Sequence, residues 1–329
     1  VGSEMCIRDR DMIDLMIEHG GQLFRPAACD SITWTLERQG TPGKLAFSVL
    51  NSGGIPFTEG DRVCLHCNGT GIFYGFVFER RMTKDGVIRV TAYDQLRYLK
   101  NKDTYVYQDK TASEVIQMIA ADFGLSVGEL ADTGFKIASR SEPDKTLFDI
   151  ILNALTLTIN ATKQMYVFYD SYGKLTLENI ADMKLNLLIC DRTASDYDYS
   201  TSIDGETYNQ VKVSIDNEET GKRDIYMAKH TANINAWGVL QYYHKGETGE
   251  NGQPLAETLL MRYNHKTKKL SIKEALGDVR VRPGCLMPVR MDLGDTKLSS
   301  YMLVEKVNHC FKGALHTMDL TLRGCDFIA

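Results

Sequence analysis

Apolar and polar side chains alternate along five short stretches near the start of the chain. The stretches are SITWTLER, KLAFSVL, RVCLHC, IFYGFVFERRM and VIRVTAYD, and the turn sequences GTPG, NSGG, NGTG and KDG separate them. Alternation with a period of two is typical of a β-strand with one buried face, and glycine, proline and asparagine supply the backbone conformations of tight turns. The pattern from about residue 26 to 103 therefore predicts a small antiparallel β-barrel or sandwich.

One of these strands, IFYGFVF, is apolar on both faces. Phe73 and Val77 fall on one face, and Tyr74, Phe76 and Phe78 fall on the other. One face can fill the core, so the second needs a cover from a neighbouring domain or a neighbouring subunit. Stacking of these rings on sugars or bases is the alternative use. With so little positive charge, packing or subunit contact is favoured, and the candidate contact residues are Phe73, Tyr74, Phe76, Phe78, Tyr93 and Tyr98.

The period of the pattern changes between residues 104 and 182. In TASEVIQMIAADFG, Thr111 and Glu114 have the spacing of a capping box, and the helix they begin is predicted to stop at Gly124. DKTLFDIILNAL has apolar residues at helical spacing and predicts a second helix. MYVFYDSYGKLTLENI then predicts a hairpin that turns at Asp170 to Gly173. The segment is predicted to be a small α+β module.

Strand patterns return after residue 183. QVKVSID and RDIYMAKH predict a hairpin, and PLAETLLMRYNH predicts a helix with Pro254 in its first turn. We interpret residues from about 218 to 274 as a helical insertion. The last part predicts strands in LSIKEALGDVRVRPG, CLMPVRMD, SYMLVEKVNH and HTMDLTL, where Met318, Leu320 and Leu322 point inward.

Residues 284–322 repeat the layout of residues 60–94. Each runs from a glycine through a strand, a turn, a long strand, a second turn and an alternating strand. Chance resemblance between two antiparallel sheets is one explanation, and two barrels of related design is the other. On the second, the fold is α+β and mainly β, with a first barrel at 11–103, an α+β module at 104–182 and a second barrel with its insertion at 183–329.

Length and charge limit the class of protein. The chain has 329 residues, which suffices for two or three domains, and a formal net charge of −5, which gives no general warrant for nucleic-acid binding. No apolar run approaches the roughly 20 residues that span a bilayer, and no secretion signal is apparent, so we expect a cytoplasmic origin without membrane insertion. Residues 1–10, VGSEMCIRDR, resemble sequencing-adaptor read-through and are excluded from the fold.

Recognisable enzyme motifs are absent from the sequence, so no catalytic, cofactor-binding or metal-binding residues are assigned. Cys64 and Cys67 form a CxxC within a strand, where they point to opposite faces and suit a packing role. His309, Cys310 and His316 are the best metal constellation, but a third ligand at a fitting spacing is missing, which favours hydrogen-bonded histidines. Glu79, Asp85 and Asp94 lie in one hairpin region and leave glycosidic cleavage by paired carboxylates open, although carboxylates are common at strand ends and in turns, which favours the structural interpretation.

Several segments taken together resemble the phage-tail baseplate hub proteins of the PBSX-prophage type, which are related to late control protein D of contractile tails. The segments are ITWTLERQGTPGKLAFSVL, FTEGDRVCLHCNG, FYGFVFERR, VTAYDQLRYLKNKDTYVY, KTASEVIQMIAADFGL, LAETLLMRYN, LGDVRVRPG and YMLVEKVNHCFKGALHTMDLTL. The resemblance covers nearly everything after residue 25. YDQLRYLKNKDTYVY and the terminal hairpin from His316 to Leu322 are specific only in combination.

The resemblance implies a structural role in a virion. Members are described as homotrimers with two tail-tube-like barrels per chain, so three chains form a pseudo-sixfold ring that joins the sixfold tail tube to the threefold central spike. Implied partners are the tail tube protein, the spike protein, a LysM-containing tail protein and the tape measure protein, with DNA only in transit through the channel. The implied location is the tail baseplate, assembled in the bacterial host cytoplasm.

Two other classes of function stay open from sequence. A tail-associated peptidoglycan hydrolase would be an enzyme, and zymography would detect it. A carbohydrate-binding tail module would be a soluble monomer with exposed aromatic residues. The net negative charge suits a hub whose channel passes DNA without holding it, because a basic lining would bind phosphates.

Overall fold

The computed structural model describes residues 12–51, 56–190, 193, 195–217, 221–246, 250–293 and 297–324. The adaptor-like segment 1–10 lies outside these ranges. Within them, strands dominate, and no helix is long and apolar enough to cross a membrane. The chain is therefore α+β and mainly β, as the sequence predicts.

The first part of the chain is a set of antiparallel strands, which we call the first β module. Alternate side chains point into one core that includes Trp34, Leu45 and Val77, so the period-two pattern reports real burial. The predicted strands are all present, and two strands precede them. The module comprises β1 (Ile13–His19), β2 (Gln22–Phe24), β3 (Ile32–Glu37), β4 (Lys44–Leu50), β5 (Arg62–Cys67), β6 (Thr70–Met82) and β7 (Val87–Tyr93).

A mixed helical and strand region follows, with a core of its own. Both predicted helices form, and the predicted capping box is present: Thr111 Oγ1 accepts from the N–H of Glu114, whose carboxylate accepts from the N–H of Thr111. The strand pair β8 and β10 and the short strand β9 were not predicted. The elements are a 3₁₀-helix (Gln95–Lys100), β8 (Lys102–Lys110), α1 (Ala112–Asp122), β9 (Val127–Leu130), β10 (Ile137–Thr146), α2 (Leu147–Thr162), β11 (Tyr166–Asp170) and β12 (Leu175–Asn179).

The last part contains a second β module and an inserted unit. In chain order its elements are β13 (Ile189–Cys190), β14 (Asp196–Ser202), β15 (Gln210–Asn217), β16 (Lys222–Lys229), α3 (Thr231–Trp237), β17 (Gln241–Gly246), α4 (Gly252–Tyr263), β18 (Thr267–Leu276), β19 (Leu286–Asp292), β20 (Lys297–Lys312) and β21 (Leu315–Gly324). β15, β16 and β17 form a separate sheet that packs on α4. The inserted unit thus runs from β15 to α4, whereas the sequence interpretation placed it at about 218–274, which omits β15 and includes most of β18 of the main sheet.

The two β modules have the same strand order. In the first, the order across the sheet is β3-β4-β7-β6-β5, and in the second it is β14-β18-β21-β20-β19. β5, β6 and β7 form consecutive antiparallel pairs, as do β19, β20 and β21. The repeated layout read from residues 60–94 and 284–322 is therefore a repeated topology.

The equivalence extends to single hydrogen bonds. The N–H of Gly60 donates to the carbonyl of Val77 at 2.8 Å, and the N–H of Gly284 donates to the carbonyl of Val304 at 2.9 Å. In return, the N–H of Val77 donates to the carbonyl of Asp61, and the N–H of Val304 donates to the carbonyl of Cys285. Both long strands have a β-bulge one residue after this valine. Val77 and Val304 are therefore equivalent positions.

The two modules share one continuous sheet. β20 pairs with β19 along its first half and with β3 along its second half, so strand pairing passes from one module into the other. At this junction Trp34 stacks on His309 with ring centroids 5.0 Å apart, and Lys306 Nζ lies 2.6 Å from Glu37 Oε1. The sequence predicts two barrels. The structure shows two core clusters, with Leu36 of β3 packed against both, and strand pairing that continues from one module into the other.

Candidate assembly surface on strand β6

Strand β6 carries a row of aromatic side chains on its outer face. Tyr74, Phe76 and Phe78 are half-buried and point away from the core, as their spacing predicts. The rings of Tyr74 and Phe76 meet edge to face with centroids 6.1 Å apart, and Phe78 meets Tyr93 of β7 at 5.5 Å. We call the row formed by Tyr74, Phe76, Phe78, Tyr93 and Tyr98 the aromatic row.

Phe73 does not belong to this surface. Its side chain is only 2% exposed and lies in the core of the first β module. Period-two alternation places it on the inner face with Val77, so its inclusion among the candidate contact residues was wrong. Tyr74, Phe76, Phe78 and Tyr93 lie on the outer face of the strands, and Tyr98 packs on Phe76 and Phe78 from the 3₁₀-helix.

A hairpin of the same chain covers one end of the aromatic row. Tyr172, in the turn between β11 and β12, packs edge to face on Tyr74 at 5.7 Å, and its hydroxyl lies 2.9 Å from Nε2 of His66. Gly71 faces the ring of Tyr172 and Gly173 faces the ring of Tyr74, so closely that a Cβ at either glycine would overlap the ring. The two strand pairs therefore interlock through two tyrosines and two glycines.

The 3₁₀-helix covers the other end of the row. It places the ring of Tyr98 against those of Phe76 and Phe78, with centroid distances of 6.1 and 6.0 Å respectively. Arg97 from the same helix lies over the ring of Phe78 at 5.3 Å, a cation–π contact. The mixed helical and strand region, whose core includes Leu96 and Leu99 of this helix, thus supplies much of the cover that the sequence predicts the second face to need.

Two buried carboxyl groups lie where this helix begins. Asp94 caps the helix and accepts from the N–H groups of Gly43 and Leu96 at 2.9 and 3.1 Å, and Asp170 accepts from the N–H of Gly173 at 2.8 Å. Burial, and then the neighbouring Asp170 carboxyl, raise the pKa of Asp94 well above its usual range. Burial raises the pKa of Asp170 to about 6.

Past the aromatic row, the end of β6 has an open edge. β5 pairs with β6 only as far as Phe76, and residues 79–82 pair with β7 on their other side. No strand pairs with the open edge among the residues that the structure describes. Met82 is 60% exposed there, and Nε of Arg80 is buried without a hydrogen-bond partner within those same residues.

The other candidate chemistry from sequence resolves into packing. Cys64 is half-buried and Cys67 is buried on β5, and burial raises the pKa of the Cys64 thiol. Glu79 and Asp85 are exposed whereas Asp94 is buried. Within the described ranges, no group of three or more His, Cys, Asp or Glu side chains is placed to hold a metal ion.

The two histidines near the end of the chain bond to each other. His309 Nε2 donates to the carbonyl of Val281 at 3.0 Å, and its Nδ1 lies 3.0 Å from Nε2 of His316. Burial lowers the pKa of His309 to about 3, so its ring is neutral near pH 7. Both of its nitrogens are occupied by protein partners.

Sequence reasoning missed Tyr172. It was read only as part of a hairpin turn, and the tyrosine–glycine pair in DSYGK gives no local sign of a partner about 100 residues away in the chain. A large ring in a tight turn next to glycine was the available signal, because turn tips are usually small and polar.

Comparison with known proteins identifies relatives over nearly the whole chain. The sequence model of the YQBQ-like family matches residues 32–323. The uncharacterized protein YqbQ of Bacillus subtilis is 30% identical over 301 residues, which cover 88% of this chain and 90% of that protein. The phage-like element PBSX protein XkdQ of the same organism is 32% identical over 319 residues, covering 94% and 96%.

Solved structures of tail proteins have the same fold at low identity. The 43 kDa tail protein of prophage MuSo2 from Shewanella oneidensis matches with a TM-score of 0.73 and 11% identity over 96% of this chain and 100% of that one. A tail protein from Neisseria meningitidis matches with a TM-score of 0.70 and 11% identity, over 96% and 97%. The E. coli type VI secretion component c3393, described as similar to T4 tail proteins gp27 and gp5, matches with a TM-score of 0.57 and 10% identity, over 94% and 76%.

Proposed function

This chain belongs to the YQBQ-like family, and from that premise we propose that it is the structural hub of a contractile-tail baseplate, in a phage, a prophage or a tail-derived particle. The observation that carries the proposal is the repeated strand order of the two β modules. The relative XkdQ belongs by name to a phage-like element, and the solved neighbours are described as tail proteins, which supports this role.

In the proposed assembly three copies close into a ring. Each copy contributes two β modules of like topology, so the ring holds six similar modules around a threefold axis. Such a ring meets a sixfold tail tube on one side and a threefold central spike on the other, and its channel passes DNA. The boundaries at residues 103 and 182 are part of this proposal, with one barrel before the first and one after the second.

The proposed role is structural and not enzymatic. The hub contacts the tail tube protein and the central spike protein, and the LysM-containing tail protein and the tape measure protein are further proposed neighbours. It is assembled in the cytoplasm of the bacterial host and ends in the baseplate of the virion.

The mass of the purified chain in solution tests the proposal. We expect native mass spectrometry to give a trimer, three times the 37.0 kDa of one chain. The physical reason is that exposed sheet edges and half-covered aromatic faces are satisfied by closed association. A monomer at all concentrations, alone and with the tube and spike proteins present, would contradict the hub function.

A further inference from the structure

The junction between the two β modules within one chain is a template for a second junction. β3 lies along the free half of β20, where Thr35 Oγ1 donates to Asn308 Oδ1 at 2.7 Å and Arg38 Nε lies 2.7 Å from Glu305 Oε2. In the equivalence of the modules, β20 corresponds to β6 and β3 corresponds to β14. The same junction can therefore form wherever a β6 meets a β14.

Both strands of that second junction have an unused edge. Residues 79–82 of β6 occupy the place that residues 306–309 occupy in β20, on the edge that β3 fills in the second module. β14 pairs with β18 alone in the described part of the chain, and six of its seven residues are exposed. An exposed strand edge is a template for pairing with another chain unless something covers it.

We propose that β14 of one copy pairs antiparallel with the end of β6 of the next copy, and that this contact repeats the β3–β20 junction between subunits. The occupant of the open β6 edge is thus a second copy of this chain. The inference rests on the proposed trimer and assigns the strands that close it.

The equivalence also fixes the register. In the first module, Val77 is connected to Trp34 of β3 by successive strand pairs through β7 and β4. In the second module, Val304 is connected in the same way to Tyr199 of β14 through β21 and β18. Trp34 and Tyr199 are therefore counterparts. Met82 and His309 each lie five residues after the valine. Because His309 pairs with Trp34, Met82 falls opposite Tyr199 of the next copy. The remaining pairs are Arg81 with Ser200, Arg80 with Thr201 and Glu79 with Ser202.

Charge supports this register. Arg81 of β6 and Arg89 of β7 are directly opposite each other on the outer face, both exposed and with no ion-pair partner among the described residues. Like charges in that position destabilise a strand pair. In the proposed register Asp198 of the neighbouring copy lies diagonal to Arg81, within reach of its guanidinium. The subunit contact thus adds a carboxylate beside Arg81, where the single chain has only Glu79 two residues away on the same face.

Two inward-facing pairs fit the junction as well. Met82, exposed in the single chain, comes against the ring of Tyr199, and contacts between a thioether and an aromatic ring are favourable. Arg80, whose Nε is buried and unpartnered within the described residues, comes opposite Thr201, whose hydroxyl can accept a hydrogen bond. Each side chain that is poorly satisfied at the open edge thereby gains a partner.

A disulfide placed across the proposed contact tests it. Arg81→Cys together with Ser200→Cys puts two thiols at a pair of positions equivalent to Asn308 and Thr35 of the β3–β20 junction. The side chains of Asn308 and Thr35 are close enough to form a hydrogen bond, so the two thiols should be close enough to form a disulfide. On mild oxidation we expect covalent dimers and trimers on a non-reducing gel, and their reversal by reductant. Both positions are exposed, so folding is little affected.

Three controls make the result specific. Thr35→Cys with Asn308→Cys should crosslink within one chain and give no covalent oligomer. Arg81→Cys with Asp196→Cys is four residues out of register, roughly 13 Å along the strand, and should give about tenfold less covalent product. The single variants account for the native cysteines.

The outcomes separate this inference from the hub function. Trimers by mass without the in-register crosslink would overturn the β6–β14 contact and leave the hub function standing. Equal crosslinking in and out of register would overturn the register and with it the proposed equivalence. Monomers by mass, with no crosslink, would overturn both.

Discussion

Asp170 is a carboxyl group that the fold holds where its charged form is unfavourable. One of its oxygens accepts a hydrogen bond from Gly173, and the other is buried with no partner among the described residues. Because burial raises its pKa to about 6, the folded chain holds a proton that the unfolded chain has already released. Asp170 therefore makes folding less favourable as pH rises from about 4 to about 6.

Replacement of Asp170 by Asn should remove the part of the pH dependence that Asp170 contributes, while Asp94, whose pKa burial also raises, keeps its own part. The amide keeps the oxygen that accepts from Gly173 and carries no charge, so the variant should be more stable than the wild type at pH 7, by on the order of 2 kcal/mol. Unfolding by urea at pH 4, 6 and 7 measures the difference. His309, whose pKa is lowered from 6.5 to about 3, titrates in both proteins and cancels.

Asp85→Asn is the matched control, because this carboxylate is exposed in the β6–β7 turn. It should follow the wild-type curve. Parallel curves for wild type and Asp170→Asn between pH 4 and 6 would show that Asp170 is not the group responsible.

At the scale of single residues, sequence predicts side-chain direction better than partners. Alternation placed Met318, Leu320 and Leu322 inside and Thr317 and Asp319 outside, and the burial pattern agrees. The alternation could not show that the carboxyl groups of Asp94 and Asp170 are neighbours. Asp94 follows a strand of the first β module and Asp170 lies in the mixed helical and strand region, so only folding brings them together. Phe73 was misassigned for a different reason: an aromatic strand offers no sign of which face is inside when both are apolar.

At the scale of elements, the β11–β12 hairpin is fixed to β6 by the glycine–tyrosine interlock. Gly71 leaves the space that the ring of Tyr172 occupies, and Gly173 does the same for Tyr74. Close packing of this kind tolerates no added carbon without displacement of a ring.

Gly71→Ala should therefore destabilise the chain by about 1–3 kcal/mol, because its Cβ overlaps the Tyr172 ring. In a Tyr172→Ala background the same substitution should cost less than about 0.5 kcal/mol, since the ring is gone. Urea unfolding of the four proteins in this double-mutant cycle measures the coupling. An equal cost of Gly71→Ala in both backgrounds would mean that the strain comes from the β6 backbone and not from the interlock.

Helices and strands with a strong local sequence pattern were predicted, whereas strands whose formation depends on pairing with residues distant in the chain were not. α1 and α2 were found from capping and period, and β3 to β7 from alternation and turns. The pair β8–β10 was missed because its strands, such as KDTYVYQDK, are rich in polar residues and alternate weakly. The hairpin β15–β16 was predicted, but a hairpin pattern does not say which sheet it joins, so the start of the insertion was misplaced.

At the scale of the whole molecule, one sheet runs through two modules of the same topology. The repeat could be read from sequence because both copies keep the order of glycine, strand and turn. The β3–β20 junction could not, because the strands that form it lie at opposite ends of the chain. That junction has an unfilled equivalent in the single chain, and this unfilled edge is the physical basis of the proposed closure into a ring.

A three-dimensional reconstruction of the purified oligomer by electron cryomicroscopy tests the central claim most directly. We predict a threefold ring of six β modules in nearly equivalent places, with sheet density continuous across each subunit boundary and Met82 of one copy opposite Tyr199 of the next. A ring in which β14 stays unpaired and subunits meet through the inserted β15–α4 unit, or in which the two modules occupy unrelated places, would contradict it.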